Sequence, residues 1–236
     1  MIEELKALIK ENNFLEFKDK FKKTLLNKHQ KELLFEIAYR QQSLEFFKYI
    51  QKTINLSQEK KVNILIRTLI DETKIKDFDY ISTIDDMILA KNLGDYASLL
   101  VKTQDDNFLI KFMQNKPIAT FMNFKKIIYN SFKYKKVDFI NYISNQNLDK
   151  NTIFYFGLYA FSFKYKEPFL NLLLNSIKYN PNIIEEVKSI KDKHLFLIKK
   201  EIESFINEAA IKALALNLNE VLHKKNIKSN EIKLKI

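Results

Sequence analysis

Ser131-Phe132-Lys133-Tyr134-Lys135 returns intact as Ser162-Phe163-Lys164-Tyr165-Lys166, 31 residues later. Self-similarity at a period of roughly 20–50 residues is the mark of stacked supersecondary units, each unable to bury its apolar face alone. Stepping the same interval along the chain gives Ala7, Ala38, Leu69, Leu100, Ser131 and Ser162. Related patterns surround several of these positions.

The clearest unit runs from Leu33 to Ile50. Leu34, Ile37 and Ala38 recur at helical spacing, Gln41-Gln42-Ser43 interrupts them, and Leu44, Phe46, Phe47, Tyr49 and Ile50 open a second apolar series. Ser43 is placed to cap that second helix through its hydroxyl. The same helix–turn–helix form is expected at Phe124–Ile143 and at Ile153–Ile177, where Pro168 suits the first turn of the second helix. Val62–Ile84 is a looser copy, with Ile75, Phe78 and Ile81 opening its second helix. A front copy holds Leu5, Leu8 and Ile9, then Asn12-Asn13, then Phe14, Phe17 and Phe21. Small residues at Ala7, Ala38, Ser131 and Ser162 are expected where paired backbones approach closely.

In Phe35-Glu36-Ile37-Ala38 followed by Ser43-Leu44-Glu45-Phe46-Phe47-Lys48-Tyr49-Ile50, the pattern resembles the ankyrin repeat, over roughly residues 3–178. The resemblance implies a right-handed all-α stack of helix pairs, an α-solenoid with units of about 31 residues. No Thr-Pro-Leu-His tetrapeptide opens a unit, and the family's turn glycine is replaced by Gln42, Lys135 and Lys166. Ala90 and Gly94 lie out of phase with the ladder, which places an insertion or break near residues 85–120, close to Pro117.

Residues 179–225 read as a helical C-terminal cap. A short helix follows Asn180-Pro181, and Leu195, Ile198, Ile202, Phe205, Ile206, Ala209, Ala213 and Leu216 trace one face of a longer one. Residues 226–236 form a basic tail, and from Lys224 onward fraying is expected.

Composition bounds the function. Two Gly and three Pro leave little turn chemistry for sandwiches or barrels, and the absence of Cys excludes disulfides and thiolate metal sites. The acidic start Met1-Ile2-Glu3-Glu4 does not resemble a secretory leader. The most apolar run, Ile153–Phe163, is too short to span a bilayer. A cytoplasmic protein is expected. His29, His194 and His223 stand apart, no glycine-rich phosphate loop exists, and the acidic pairs complement helix dipoles. Neither an enzyme, a metal nor a cofactor is expected.

The net charge of +11 points to an acidic partner. Arg40 and Arg67 are the only arginines, so 38 of the 40 basic residues are lysines. Lysine does not replace arginine in bidentate phosphate or guanine recognition, and AT-rich coding alone yields the same bias. Between Asp71 and Asp106 nine acids face four lysines, whereas Asn107–Val137 holds seven lysines and no acid. A basic and aromatic strip is therefore expected from Lys125, Lys126, Lys133, Tyr134, Lys135 and Lys136, continued by Lys164, Tyr165 and Lys166. The expected function is a non-catalytic scaffold for a protein partner. The alternatives are nucleic-acid or anionic-surface binding through the lysines, and a helical subunit of a larger assembly.

Overall fold

In the computed structural model the described residues are 1–116, 124–190 and 199–233, with 199 and 223–233 described by their backbone alone. They are all-α, and no strand occurs among them. The chain divides into two compact units, Met1–Asn130 and Ser131–Ile236.

In the first unit α1 (Ile2–Lys10) pairs with α2 (Phe14–Lys23), and α3 (Lys28–Arg40) with α4 (Leu44–Gln51). Next come α5 (Gln58–Ile70) and the short α6 (Phe78–Ser82). Three short helices follow: α7 (Asp86–Leu93), α8 (Ala97–Thr103) and α9 (Asp106–Asn115). Helix α10 (Phe124–Lys133) crosses from the first unit into the second. The second unit continues with α11 (Val137–Ser144), α12 (Lys150–Ser162), α13 (Lys166–Tyr179), α14 (Ile183–Lys188) and α15 (Lys199–Lys233).

Short polar side chains start these helices. Asn13, Asn27, Ser57, Asp77, Asp85, Asp105 and Asp149 each accept a hydrogen bond from a first-turn amide, and Asn27 completes a capping box with Gln30. Ser43 stands at the N-cap position of α4, but its side chain makes no capping bond. Its amide is used instead to close the preceding turn.

That turn is the repeated element. Asn12, Gln42, Glu72, Lys135 and Lys164 all have left-handed backbones, with φ of 57°, 54°, 53°, 53° and 63°. Around Gln42, the Ser43 amide donates to the Ala38 carbonyl at 2.9 Å and the Gln42 amide donates to the Tyr39 carbonyl at 2.9 Å. The same two bonds close the turn after α1 onto Leu8 and Ile9, after α5 onto Thr68 and Leu69, after α10 onto Ser131 and Phe132, and after α12 onto Ala160 and Phe161. This is the Schellman closure, which satisfies carbonyls that a helix end otherwise leaves open.

The closure corrects the register read from the repeated pentapeptide. Lys135 is structurally equivalent to Lys164, not to Lys166, which is the first residue of α13. Ser131 corresponds to the buried Ala160, while Ser162 is exposed. The two identical strings are thus offset by two residues, because burial and the closing bonds set the register and side-chain identity does not. Ala38, Ser131 and Ala160 are the buried small residues, whereas Ala7 is only half-buried. A further close approach lies at Gly157 of α12. A Cβ there would come within 2.6 Å of the Phe169 ring of α13.

The turn series skips one unit where a break was expected. Helix α8 ends at Gln104 in extended backbone, φ −93° and ψ 157°, with no left-handed closure. Pro117 lies outside the described residues.

Successive first helices pack on one another: α1 on α3 and α3 on α5, and α5 then packs on α7 and α8. In the second unit α12 packs on α13 and α14, and α13 on α11, α14 and α15. Aromatic rings fill these contacts. Phe17 meets Phe46 at 5.0 Å, and Tyr39 lies 5.2 Å from Phe47 and 4.4 Å from Tyr80. Each fully buried phenylalanine is worth about 1.5–3 kcal/mol. The Tyr39 hydroxyl is buried and finds no hydrogen-bond partner among the described residues.

The C-terminal region departs from the expected single apolar face. Ile202, Ile206 and Ala209 are buried, and Phe205 stacks on Phe169 with ring centroids 6.2 Å apart. Ala213 is half-buried, but Leu216 is 57% exposed, so α15 leaves the body near residue 210. Leu195 and Ile198 lie outside the described residues. From Lys224, where fraying was expected, the described backbone is helical through Lys233. The proposed cap boundary at residue 225 therefore falls inside α15.

Left-handed backbone costs a non-glycine residue about 1–2 kcal/mol. Lys135→Gly and Lys164→Gly are expected to raise stability by about 1 kcal/mol in urea denaturation. Gln42→Gly is expected to gain nothing, because the Gln42 side chain holds a hydrogen bond to the Lys76 amide. Tyr39→Phe removes an unpaired buried hydroxyl, and its unfolding midpoint is expected to equal or exceed that of the parent chain.

Candidate functional site

Polar contacts in the first unit bridge neighbouring helix pairs at a near-constant separation in sequence. Arg40 Nε donates to Asp71 at 2.6 Å and Arg67 Nη1 donates to Glu36 at 2.5 Å, each across 31 residues. Lys102 donates to Glu72 across 30 residues. The Gln104 amide donates to the Thr73 carbonyl at 3.1 Å, and its oxygen accepts from the Ile75 amide at 2.8 Å. Buried Lys116 donates to the Ile84 carbonyl at 2.6 Å and to Asp86 at 2.7 Å.

These contacts reassign the charge pattern read from the sequence. Both arginines are committed to carboxylates within the fold. In the zone Asp71–Asp106, Asp71, Glu72 and Asp86 pair with cations, and Asp77, Asp85 and Asp105 cap helices. The acidic zone is therefore largely structural. Sequence reasoning missed Gln42, Gln104 and Lys116 as bridging residues. Their only signal was a recurrence in the range of 29–34 residues between each and its partner.

Glu36 is the hub of this network. Its side chain is only 5% exposed, with Arg67 at 2.5 Å, Lys60 at 3.2 Å and Arg40 at 3.8 Å. Burial pushes its carboxyl up, but hydrogen bonds from Arg67 and Lys60 outweigh this and hold it below its ordinary value of 4.5.

Of the expected basic strip, the residues from Lys133 to Lys136 and from Lys164 to Lys166 lie around the two closing turns of the second unit. Lys125, Lys126 and Lys133 are exposed on α10, the first two on its half within the first unit. Lys135 and Lys164 occupy equivalent left-handed positions and are exposed. Lys136 is half-buried, and Lys166 is exposed with its ammonium 5.1 Å from the centre of the Phe161 ring. Lys126, Lys133, Lys135, Lys164 and Lys166 make no ion pair among the described residues. The two turns adjoin, because Phe132 beside the first stacks on Phe163 at 6.2 Å and meets Tyr165 at the same distance.

Both tyrosines expected in the strip are half-buried. Tyr165 lies against Phe132. Tyr134 is half-buried, with the Lys133 ammonium 5.5 Å from its ring centre. The strip is also not purely basic. Asp138 and Glu167 each stand three residues after a left-handed lysine, in the first turn of α11 and α13, and both are exposed. An open groove of about 590 Å³ in the first unit is lined by Ile9, Asn12, Gln42, Glu45 and Lys76.

Among the described residues no group of three acidic or histidine side chains is arranged to hold a metal ion. No described helix is long and apolar enough to cross a membrane. No family model matches this chain, and neither the curated proteins nor the solved structures contain a significant match.

Stability is expected to carry a Glu36 component. A carboxyl whose pKa is lowered by folding stabilises the native state above its unfolded value, and that contribution fades as pH falls through the folded value. The parent chain is thus expected to lose stability below about pH 4.5 partly through Glu36. Glu36→Gln is expected to be destabilised by about 1–3 kcal/mol at neutral pH and to show a shallower acid loss in urea titrations.

Proposed function

We propose that this protein is a non-catalytic helical-repeat scaffold of ankyrin-like stacking, acting in the cytoplasm, that binds a protein partner along the turns of its second unit. The observation that carries the reading is the pair of adjoining closing turns. Each presents an exposed, ion-pair-free lysine, Lys135 or Lys164, with an exposed acid three residues on. Lys133 and Lys166 extend the surface. Stacked helix pairs offer such turns as a continuous recognition surface.

The mixed charge favours a protein over a polyanion. A phosphate backbone is attracted by each lysine but repelled by Asp138 and Glu167, whereas a protein surface with charges of both signs can complement this pattern. The commitment of both arginines to intramolecular carboxylates works in the same direction, since guanidinium groups dominate bidentate phosphate recognition.

The test compares the parent chain with a variant combining Lys133→Glu, Lys135→Glu, Lys164→Glu and Lys166→Glu. With nuclease-treated native lysate, the parent is expected to retain a defined protein, and the variant to lose about tenfold or more of it at unchanged helical content. Retention of nucleic acid alone, with a steep salt dependence that the variant abolishes, would replace this reading with polyanion binding.

A further inference from the structure

The C-terminal half of α15 carries an apolar stripe that no other described residue covers. Ile211, Leu214, Leu218, Val221 and Leu222 are 52–68% exposed. Their spacing of three and four residues puts them on one side of the helix, with Ala210 and Ala215 on the flanks. The buried residues of the docked half, Ile202, Ile206 and Ala209, lie on the other side, roughly half a turn round. The body that holds the first half of α15 therefore cannot cover the stripe.

We propose that the stripe is the contact surface for a second copy of this chain, with the two α15 helices packed antiparallel. Centring the pair on Leu216 sets Ile211 opposite the second copy's Val221 and Leu214 opposite its Leu218. This gives the alternating layers of an antiparallel coiled coil.

Charge selects this orientation. Residues 201–211 hold Glu201, Glu203 and Glu208 and no base, while residues 221–231 hold Lys224, Lys225 and Lys228 against one acid, Glu231. Antiparallel pairing brings acidic stretches to basic ones. Parallel pairing would bring lysines onto lysines. Ala210, Ala215 and Asn217 beside the seam add no charge and let the backbones come close.

The area is adequate. Burying the five exposed side chains on both copies, with the alanines between them, removes on the order of 1,000 Å² of surface, where specific interfaces begin. An interface of that size forms a concentration-dependent dimer, not an obligate one. The stripe is also polar at its N-terminal continuation, Ser204 and Asn207, which limits the apolar seam to the free half of the helix.

The test is sedimentation of the full chain over about 10–500 µM, a span that brackets a micromolar dissociation constant. The parent is expected to pass from monomer to dimer. A variant with Leu214→Glu and Leu218→Glu is expected to stay monomeric, with a thermal midpoint equal to the parent's at concentrations where the parent is also monomeric, since neither side chain packs on the body. Because the chain has no native Cys, orientation is read by oxidising a mixture of Ile211→Cys and Val221→Cys chains. A disulfide-linked mixed dimer is expected, with little linking in either variant alone. A parent monomeric throughout, a dimer that survives the double charge substitution, or linking of each cysteine variant to itself would each overturn the proposal. So would a monomeric parent that floats with anionic vesicles through the stripe, which would assign the surface to lipid.

Discussion

At five turns of this chain a helix reverses into its partner through the same closure: a single residue in left-handed backbone, with two amides turned back onto the last carbonyls. Everything else in the fold is arranged around that constraint. Its five occurrences fix where each first helix ends and which side chain is the last to be buried. They also decide the angle at which the second helix leaves. Two of the five left-handed side chains also bridge helix pairs. Gln42 bridges to the Lys76 amide, and Glu72 accepts from Lys102.

The second recurring device is polar. Arg40 to Asp71, Arg67 to Glu36, and Gln104 to Thr73 and Ile75 tie each helix pair of the first unit to the next. An exposed ion pair such as Arg40–Asp71 contributes at most about 1 kcal/mol, so pairs of that kind do not hold the helices together. Packing does that, through Phe17, Phe46, Tyr39 and Tyr80. The bridges select one register among the several that a row of similar apolar helices permits. Glu36 is the exception in strength, because its carboxylate is buried and breaking its contacts leaves a desolvated charge.

This division bears on function. In the first unit both arginines and several acids of the Asp71–Asp106 zone are spent on the fold, and in the second Lys133, Lys135, Lys164 and Lys166 form no ion pair among the described residues. The placing of Asp138 and Glu167 beside them turns a basic row into a mixed one. Helix α15 adds an apolar surface of different character, directed away from the body that anchors it through Ile202, Ile206 and Phe205.

Helix pairs, their approximate period, the break between residues 85 and 120 and the short helix after Pro181 were legible, because apolar spacing and capping residues are local signals. The small buried residue at Ala38 was legible for the same reason. The offset between the two identical pentapeptides was not. Ser131 and Ser162 are the same letter in different structural positions, and only the closing bonds distinguish them. The lysines of the strip could be located from sequence, but not their surroundings. Tyr165 is half-buried against Phe132, the two arginines were already engaged, and acids 31 residues away had been claimed by them. Local chemistry thus determined that this chain makes paired helices and roughly where they turn. Which charges the fold itself pairs, and which face of α15 is left exposed, was decided by packing, since both depend on groups brought together from distant parts of the chain.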